Sequence, residues 1–242
     1  MLQSIIQCTD NPEQLSSIRP LCPTRWTCRT VSIKSVLDNY SSLMTLLDTI
    51  SCSFNDEHSR KASGMLALME KFDTYFGLCV AVKVFGAAEE LSRGLQAKHI
   101  TAQEAFLAAE CTRQFYNGLR NESAFHTLFE SAKVAAAADP EGRIGEPTTA
   151  RRRKVPKKID GDAEHFFESN PESSLRRQFF EILDILDTQL VERFHQPAFT
   201  TIQNVERLFE EAAKGNPTIS LEFVKKLYGG DLDVQRLQIQ LR

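Results

Sequence analysis

The sequence has little of what most enzyme signatures need. Its 242 residues hold five histidines (His58, His99, His126, His165 and His195), with no two at i, i+4. No helix can therefore present the paired imidazoles of a zinc-protease motif. There is no G-x-G-x-x-G, no Walker loop and no G-x-S-x-G, so the cues for dinucleotide binding, P-loop chemistry and α/β-hydrolases are all missing. No apolar run approaches the roughly 20 residues that span a bilayer. The opening "MLQSIIQCTDNPEQ" lacks both a basic stretch and the sustained apolar core of a secretory leader. An intracellular chain with no membrane partner is expected. Excess charge is lacking too: the net charge is −3, so attraction to nucleic acid has to come from a local basic patch.

Cysteine is absent from the second half. The six present (Cys8, Cys22, Cys28, Cys52, Cys79 and Cys111) are scattered over the first half and read as free thiols of a reducing compartment. Tryptophan occurs once, at Trp26, in "LCPTRWTCRT" over residues 21–30. Cys22 and Cys28 flank it as C-x5-C, and the nearest histidine is His58. Zinc sites use C-x2-4-C pairs or histidines close by, so no metal and no cofactor is expected. Trp26 beside Arg25 suits either a stacking platform for an exposed base or the first anchor of a core.

What is abundant is helical periodicity. Residues 1–24 form an irregular segment broken by Pro12, Pro20 and Pro23. Thr24 can cap a helix that starts near Arg25, and Ile33, Val36, Leu37, Tyr40, Leu43, Met44, Leu47 and Ile50 continue one face. A second helix carries Met65, Leu66, Leu68, Met69, Phe72 and Phe76, with Gly77 expected to end or kink it before a third over 78–94. "TAQE" at 101–104 fits a capping box, and Phe106, Leu107, Cys111, Phe115 and Leu119 follow as the expected inner face. The next helix holds Phe125, Leu128, Phe129 and Ala132. Asn170 and Pro171 make an N-cap and first-turn pair for a stripe of Phe179, Ile182, Leu183, Leu186, Leu190 and Phe194. Another stripe, at Ile202, Val205, Leu208 and Phe209, lies between Pro197 and Pro217. No stretch alternates with period two. The expected fold is an all-α irregular bundle of about seven to nine helices. Its expected parts are the N-terminal segment, a first helical half over 25–137, a disordered Pro/Gly-rich basic linker over 138–162, and a second helical half over 163–242.

Two features carry chemistry. Asp184 and Asp187 stand at i, i+3 and can share one helix edge. A metal would need a further carboxylate converging on them, whereas the interleaved Leu183, Leu186 and Leu190 favour the polar edge of a packed helix. The run "RRRKVPKK" places Arg151, Arg152, Arg153, Lys154, Lys157 and Lys158 within eight residues and includes no acid. Such a run serves phosphate contact or nuclear import, or is simply a solvated connector.

"LCPTRWTCRT" followed by "SIKSVLDNYSSLMTLLDTI" resembles the hAT transposase superfamily. Within it the chain is similar to transposon-derived proteins of the MYM-type zinc-finger protein 1 and TTF-type zinc-finger groups. The basic "RRRKVPKKID" and "RRQFFEILDILDTQLVERF" agree in order and spacing, so the resemblance runs from about residue 19 onward. It implies a helical insertion domain from an RNase H-like core, whose two aspartates and one glutamate bind the divalent metals for DNA cleavage. The family's glutamate lies in an S-E-R-x-F-S motif that this sequence lacks; "VERF" with Glu192 and "VERL" with Glu206 lie inside amphipathic helices and are not assigned to it. The resemblance thus implies a catalytically inactive nuclear fragment, a truncated transposase or a relic, that retains weak, salt-dependent DNA binding. Arg25 and Trp26 would be its DNA contact, with Arg151–Arg153, Lys154, Lys157 and Lys158 as the basic patch. The competing expectation is a helical protein-interaction scaffold of unrelated origin, cytoplasmic or nuclear, that binds a protein partner or a second copy of itself.

Overall fold

The computed structural model describes residues 29–53, 57–148, 170–215, 221–228 and 230–240, and among them there is no strand. The all-α expectation holds. The helices are α1 (Arg29–Asp38), α2 (Tyr40–Ser53), α3 (Glu57–Met69), α4 (Phe72–Leu95), α5 (Ala102–Leu119), α6 (Glu122–Ala137), α7 (Pro171–Phe194), α8 (Pro197–Ala213), α9 (Glu222–Tyr228) and α10 (Val234–Gln240). Among the described residues they number ten, partly because the periodic stretch over 33–50 is divided. Asn39 makes the division: its side-chain amide donates to the Ser35 carbonyl at 2.7 Å, and its own carbonyl accepts the Leu43 amide.

Helix starts follow their sequence signals. Thr101 and Glu104 form the expected reciprocal pair at the start of α5. Glu104 N donates to Thr101 Oγ1 at 3.1 Å and Thr101 N donates to Glu104 Oε2 at 2.9 Å. Asn170 accepts the Glu172 amide at 3.0 Å just before Pro171, whose absent N–H costs nothing at a first helical position. Asn121 caps α6 by accepting the Ala124 amide at 2.8 Å. One expected stop is not one: α4 runs through Gly77, and the chain turns instead at Glu70–Lys71. A glycine inside a helix costs about 1 kcal/mol relative to alanine, too little to break a 24-residue helix with buried phenylalanines.

The residues fall into two compact units that interleave in sequence. The first takes in described residues up to Glu90 and Tyr116–Asp184. Its core is phenylalanine: Phe72, Phe76, Phe125, Phe129 and Phe179 are each 2% exposed or less. Phe129 meets Phe72 and Phe76 edge-on at 5.6 and 5.8 Å, and Phe125 stacks on Phe129 at 5.6 Å. Each buried ring contributes about 1.5–3 kcal/mol, with edge-to-face pairs adding about 0.5–1.5. Tyr116 is buried here and donates its hydroxyl to the Val84 carbonyl at 3.0 Å. Part of the expected linker is tied down in the same unit. Arg143 donates to the Ser41 carbonyl at 3.0 Å and to Thr45 Oγ1 at 2.9 Å, and Gly145 N reaches the Glu70 carbonyl at 2.8 Å. Gly142, with φ of 59°, makes the turn between α6 and this strap.

The second unit takes in Leu91–Phe115 and the described residues from Ile185. Leu208 and Val224 are buried in it, together with Ala105, Ala109 and Thr112 of α5. Phe199 meets Phe194 edge-on at 5.6 Å, and the His195 ring stands edge-on to Phe106 at 5.3 Å.

On three helices the buried face differs from the bulkiest one. On α5 the buried stripe is Ala105, Ala109, Thr112 and Tyr116, whereas Leu107 and Phe115 are exposed, as is Cys111. On α1 and α3 the buried residues are Ser32, Ser35, Ser59 and Ala62, whereas Met65 and Leu68 are more than half exposed. Most of these buried positions carry small side chains, so which face is buried depends on what packs against it more than on side-chain bulk.

Candidate functional site

The carboxylate pair on α7 is the cluster most suggestive of chemistry, and its neighbours decide what it can do. In the first unit Arg120, just past the end of α5, forks onto Asp184. Its Nε donates to one carboxylate oxygen and its Nη2 to the other, the latter at 2.9 Å. One turn earlier on α7, the Phe180 ring lies against two guanidinium groups, those of Arg120 at 5.1 Å and Arg176 at 5.7 Å. Arg176 itself pairs with Glu122 at 2.5 Å. The Arg120 hydrogen bonds, more than its charge alone, hold the Asp184 carboxyl below the usual carboxylate range.

In the second unit Asp187 accepts from Arg113 Nε at 2.8 Å. Arg113 turns its Nη1 to Glu110, at 3.3 and 3.2 Å from the two carboxylate oxygens. His195 Nε2 stands 3.6 Å from Glu110. A divalent metal at either aspartate would sit beside a fixed guanidinium and gain little from an oxygen already hydrogen-bonded. Among the described residues no three His, Cys, Asp or Glu side chains converge as metal ligands. Asp184 and Asp187 thus have the polar-edge role that their interleaved leucines suggest, and the partners are arginines.

The two glutamates of the superficially similar motifs are also occupied. Glu206 caps α5 by accepting the Ala102 amide, and Glu192 accepts from Gln189 Nε2 at 2.9 Å. A crevice of about 60 Å³ lies between α4 and α7 in the first unit, lined by Phe76, Val80, Leu175 and Phe179 with Asp73 and Gln178 on its rim. Burial pushes the Asp73 carboxyl up, against the opposing pull of Lys71. Ligand pockets run to roughly 300–1,000 Å³, so this crevice is small beside them.

Cys52 and Cys111 are exposed free thiols, and Cys79 is a partly covered one whose burial pushes its pKa up. A raised pKa keeps that thiol protonated and unreactive. His58, His99 and His126 are exposed on the surface. The residues expected to touch nucleic acid, namely Arg25, Trp26, Arg151, Arg152, Arg153, Lys154, Lys157 and Lys158, all lie outside the described residues. Arg113, Arg120 and Arg176, which organise the charged surface of the helices, carry no sequence signal, and neither does the capping role of Glu206. Each meets a partner more than fifty positions away, and no local pattern encodes that.

No helix among the described residues is long and apolar enough to cross a membrane. Neither a protein-family model nor a solved structure matches the chain.

Proposed function

We propose that the chain is a non-catalytic helical domain of hAT-transposase descent that acts in the nucleus and touches nucleic acid through charge. The observation that carries this reading is the pairing of Asp184 with Arg120 and of Asp187 with Arg113. Each aspartate is engaged by a guanidinium group, which supports a structural role for the pair. The nucleic-acid half rests on six positive charges within Arg151–Lys158 and on Arg25 beside Trp26. Phosphate contacts of this kind are sequence-blind and release counterions, so their affinity falls steeply with salt.

The test is fluorescence anisotropy with a random-sequence duplex between 50 and 200 mM salt. About five phosphate contacts would lower the affinity roughly 10²- to 10³-fold over that range. Neutralising Arg151, Arg152, Arg153 and Lys154 to glutamine removes most of the slope, and Trp26→Ala weakens binding further. Absence of binding even at the lowest salt would remove the nucleic-acid half.

A specific observation favours the second reading, a protein-interaction scaffold. Ile202 and Phe209 on α8 are 51% and 63% exposed and stand two turns apart on the helix. That reading predicts binding of a protein partner or a second copy that tolerates salt, with Trp26→Ala affecting stability alone.

A further inference from the structure

Three places in the sequence put an arginine three residues before a serine: Arg29 before Ser32, Arg60 before Ser63, and Arg120 before Ser123. The fold separates them. Ser32 is 5% exposed and faces the interior of the first unit. Ser123 follows Glu122, and its arginine is committed to Asp184 and to the Phe180 ring. Ser63 is exposed on α3, in the run Arg60–Lys61–Ala62–Ser63, with no acidic residue between the arginine and the serine.

The hydroxyls nearby differ in the same direction. Ser51, Ser53 and Ser59 each donate to a backbone carbonyl, at 2.8, 2.9 and 3.1 Å. The Ser63 hydroxyl makes no hydrogen bond among the described residues, and Arg60 makes no ion pair among them. Lys61 reaches Glu57 at 2.6 Å, but both side chains are about 70% exposed, and such a pair is worth little and opens readily.

We propose that Ser63 is a phosphorylation site for a basophilic protein kinase, one whose acidic cleft reads Arg60 and Lys61. Discrimination by charge of this sort is how kinases choose among exposed serines. In the step, Ser63 Oγ attacks the γ-phosphorus of ATP, and the bond to the β–γ bridging oxygen breaks. ADP leaves, and the hydroxyl proton passes to the kinase's aspartate.

Kinases bind their substrates extended, so α3 has to open, and its composition makes that opening easy. It has 13 residues, near the length at which an isolated helix is marginal in water. Gly64 sits at its middle, where a glycine weakens a helix by about 1 kcal/mol. Its buried residues are only Ser59 and Ala62. Unwinding therefore exposes little apolar core, as in segments that open locally while the rest of a fold persists. The product carries about −1.5 to −2 charge at neutral pH, three residues from Arg60 and on the same helix face.

The experiment incubates the full chain with Mg-ATP and the catalytic subunit of cyclic-AMP-dependent protein kinase, then maps phosphate by peptide mass spectrometry. One phosphate is expected, on Ser63. Ser63→Ala lowers incorporation more than tenfold, and Arg60→Gln does the same with an unchanged thermal melt, both substitutions lying on an exposed helix surface. The proposal is overturned if phosphate goes mainly elsewhere or if Ser63→Ala leaves incorporation unchanged. It also fails if the native chain stays unmodified, whether or not a heat-denatured sample is labelled.

Discussion

Both carboxylate oxygens of Glu206 accept from the backbone amide of Ala102, at 2.9 and 2.7 Å. Glu206 lies on α8 and Ala102 is the first residue of α5, so one helix caps another across 104 positions. With Thr101 on the Glu104 amide, two of the amides that a helix start leaves unpaired are satisfied by side chains. The negative charge also sits at the positive end of the α5 dipole. Glu206→Ala is expected to lower stability by about 1–2 kcal/mol, the range for losing a cap together with a charge at a helix start. Glu206→Gln, which keeps an acceptor oxygen, loses less. Urea unfolding of the two variants checks the order.

Gly77 gives a substitution of the opposite sign. A Cβ added there meets nothing within 4 Å, and the residue sits inside α4 in ordinary helical conformation. Gly77→Ala should stabilise the fold by about 0.5–1 kcal/mol, because alanine loses less backbone freedom on entering a helix. A higher urea midpoint with an unchanged slope is the expected result.

Alkaline stability depends on Tyr116. Its burial raises its pKa from 10.0 to about 12. A pKa raised by folding gives stability that is complete below the unfolded value near 10 and is lost as pH climbs through the folded value. Stability should thus fall between pH 10 and 12. Tyr116→Phe should make that fall shallower without abolishing it, since Tyr40 and Tyr75 are shifted upward too. At neutral pH the variant lacks the hydrogen bond to the Val84 carbonyl and should lose about 1 kcal/mol.

Acid acts through Asp184, whose pKa is held down by Arg120. A pKa lowered by folding gives stability that is present above the unfolded value near 4 and is lost as pH falls through the folded one. The carboxylate is half exposed, so solvent and salt screen the pair. Asp184→Asn should be modestly less stable than the parent at pH 7 in low salt, and the two stability curves should converge as pH falls past the unfolded carboxylate value and through the lowered folded one. Curves that stay parallel down to pH 2 would show that the pair carries no pH dependence.

Much of the fold was legible where the signal is local. The Thr101–Glu104 box and the Asn170–Pro171 start depend on residues within one turn, and both form as expected. The Phe125, Phe129 and Phe179 positions are strongly apolar at helical spacing, and all three are core. Periodicity misplaces the inner face of α5 because it weighs side-chain bulk. Packing there selects Ala105, Ala109 and Thr112, whose value depends on what approaches them. Gly77 misled for a related reason: helix propensity is a weak prior beside buried Phe72, Phe76, Val80 and Val84. Of the candidate chemistry, Asp184 and Asp187 were legible as a polar edge. Arg113 and Arg120 were not, since the partner of a charge is a tertiary fact.

The strap after α6 bears on the order in which the first unit assembles. Arg143 and Ser41 are 102 positions apart, so their contact closes a very long loop. Closing such a loop is unfavourable until the helices it joins already stand, because local contacts must first offset the entropy lost. The strap is therefore a clasp that shuts late in folding. Fastened by hydrogen bonds to Ser41, Thr45 and Glu70, with Ile144 only half-buried among its residues, it should open at a lower cost than the phenylalanine core.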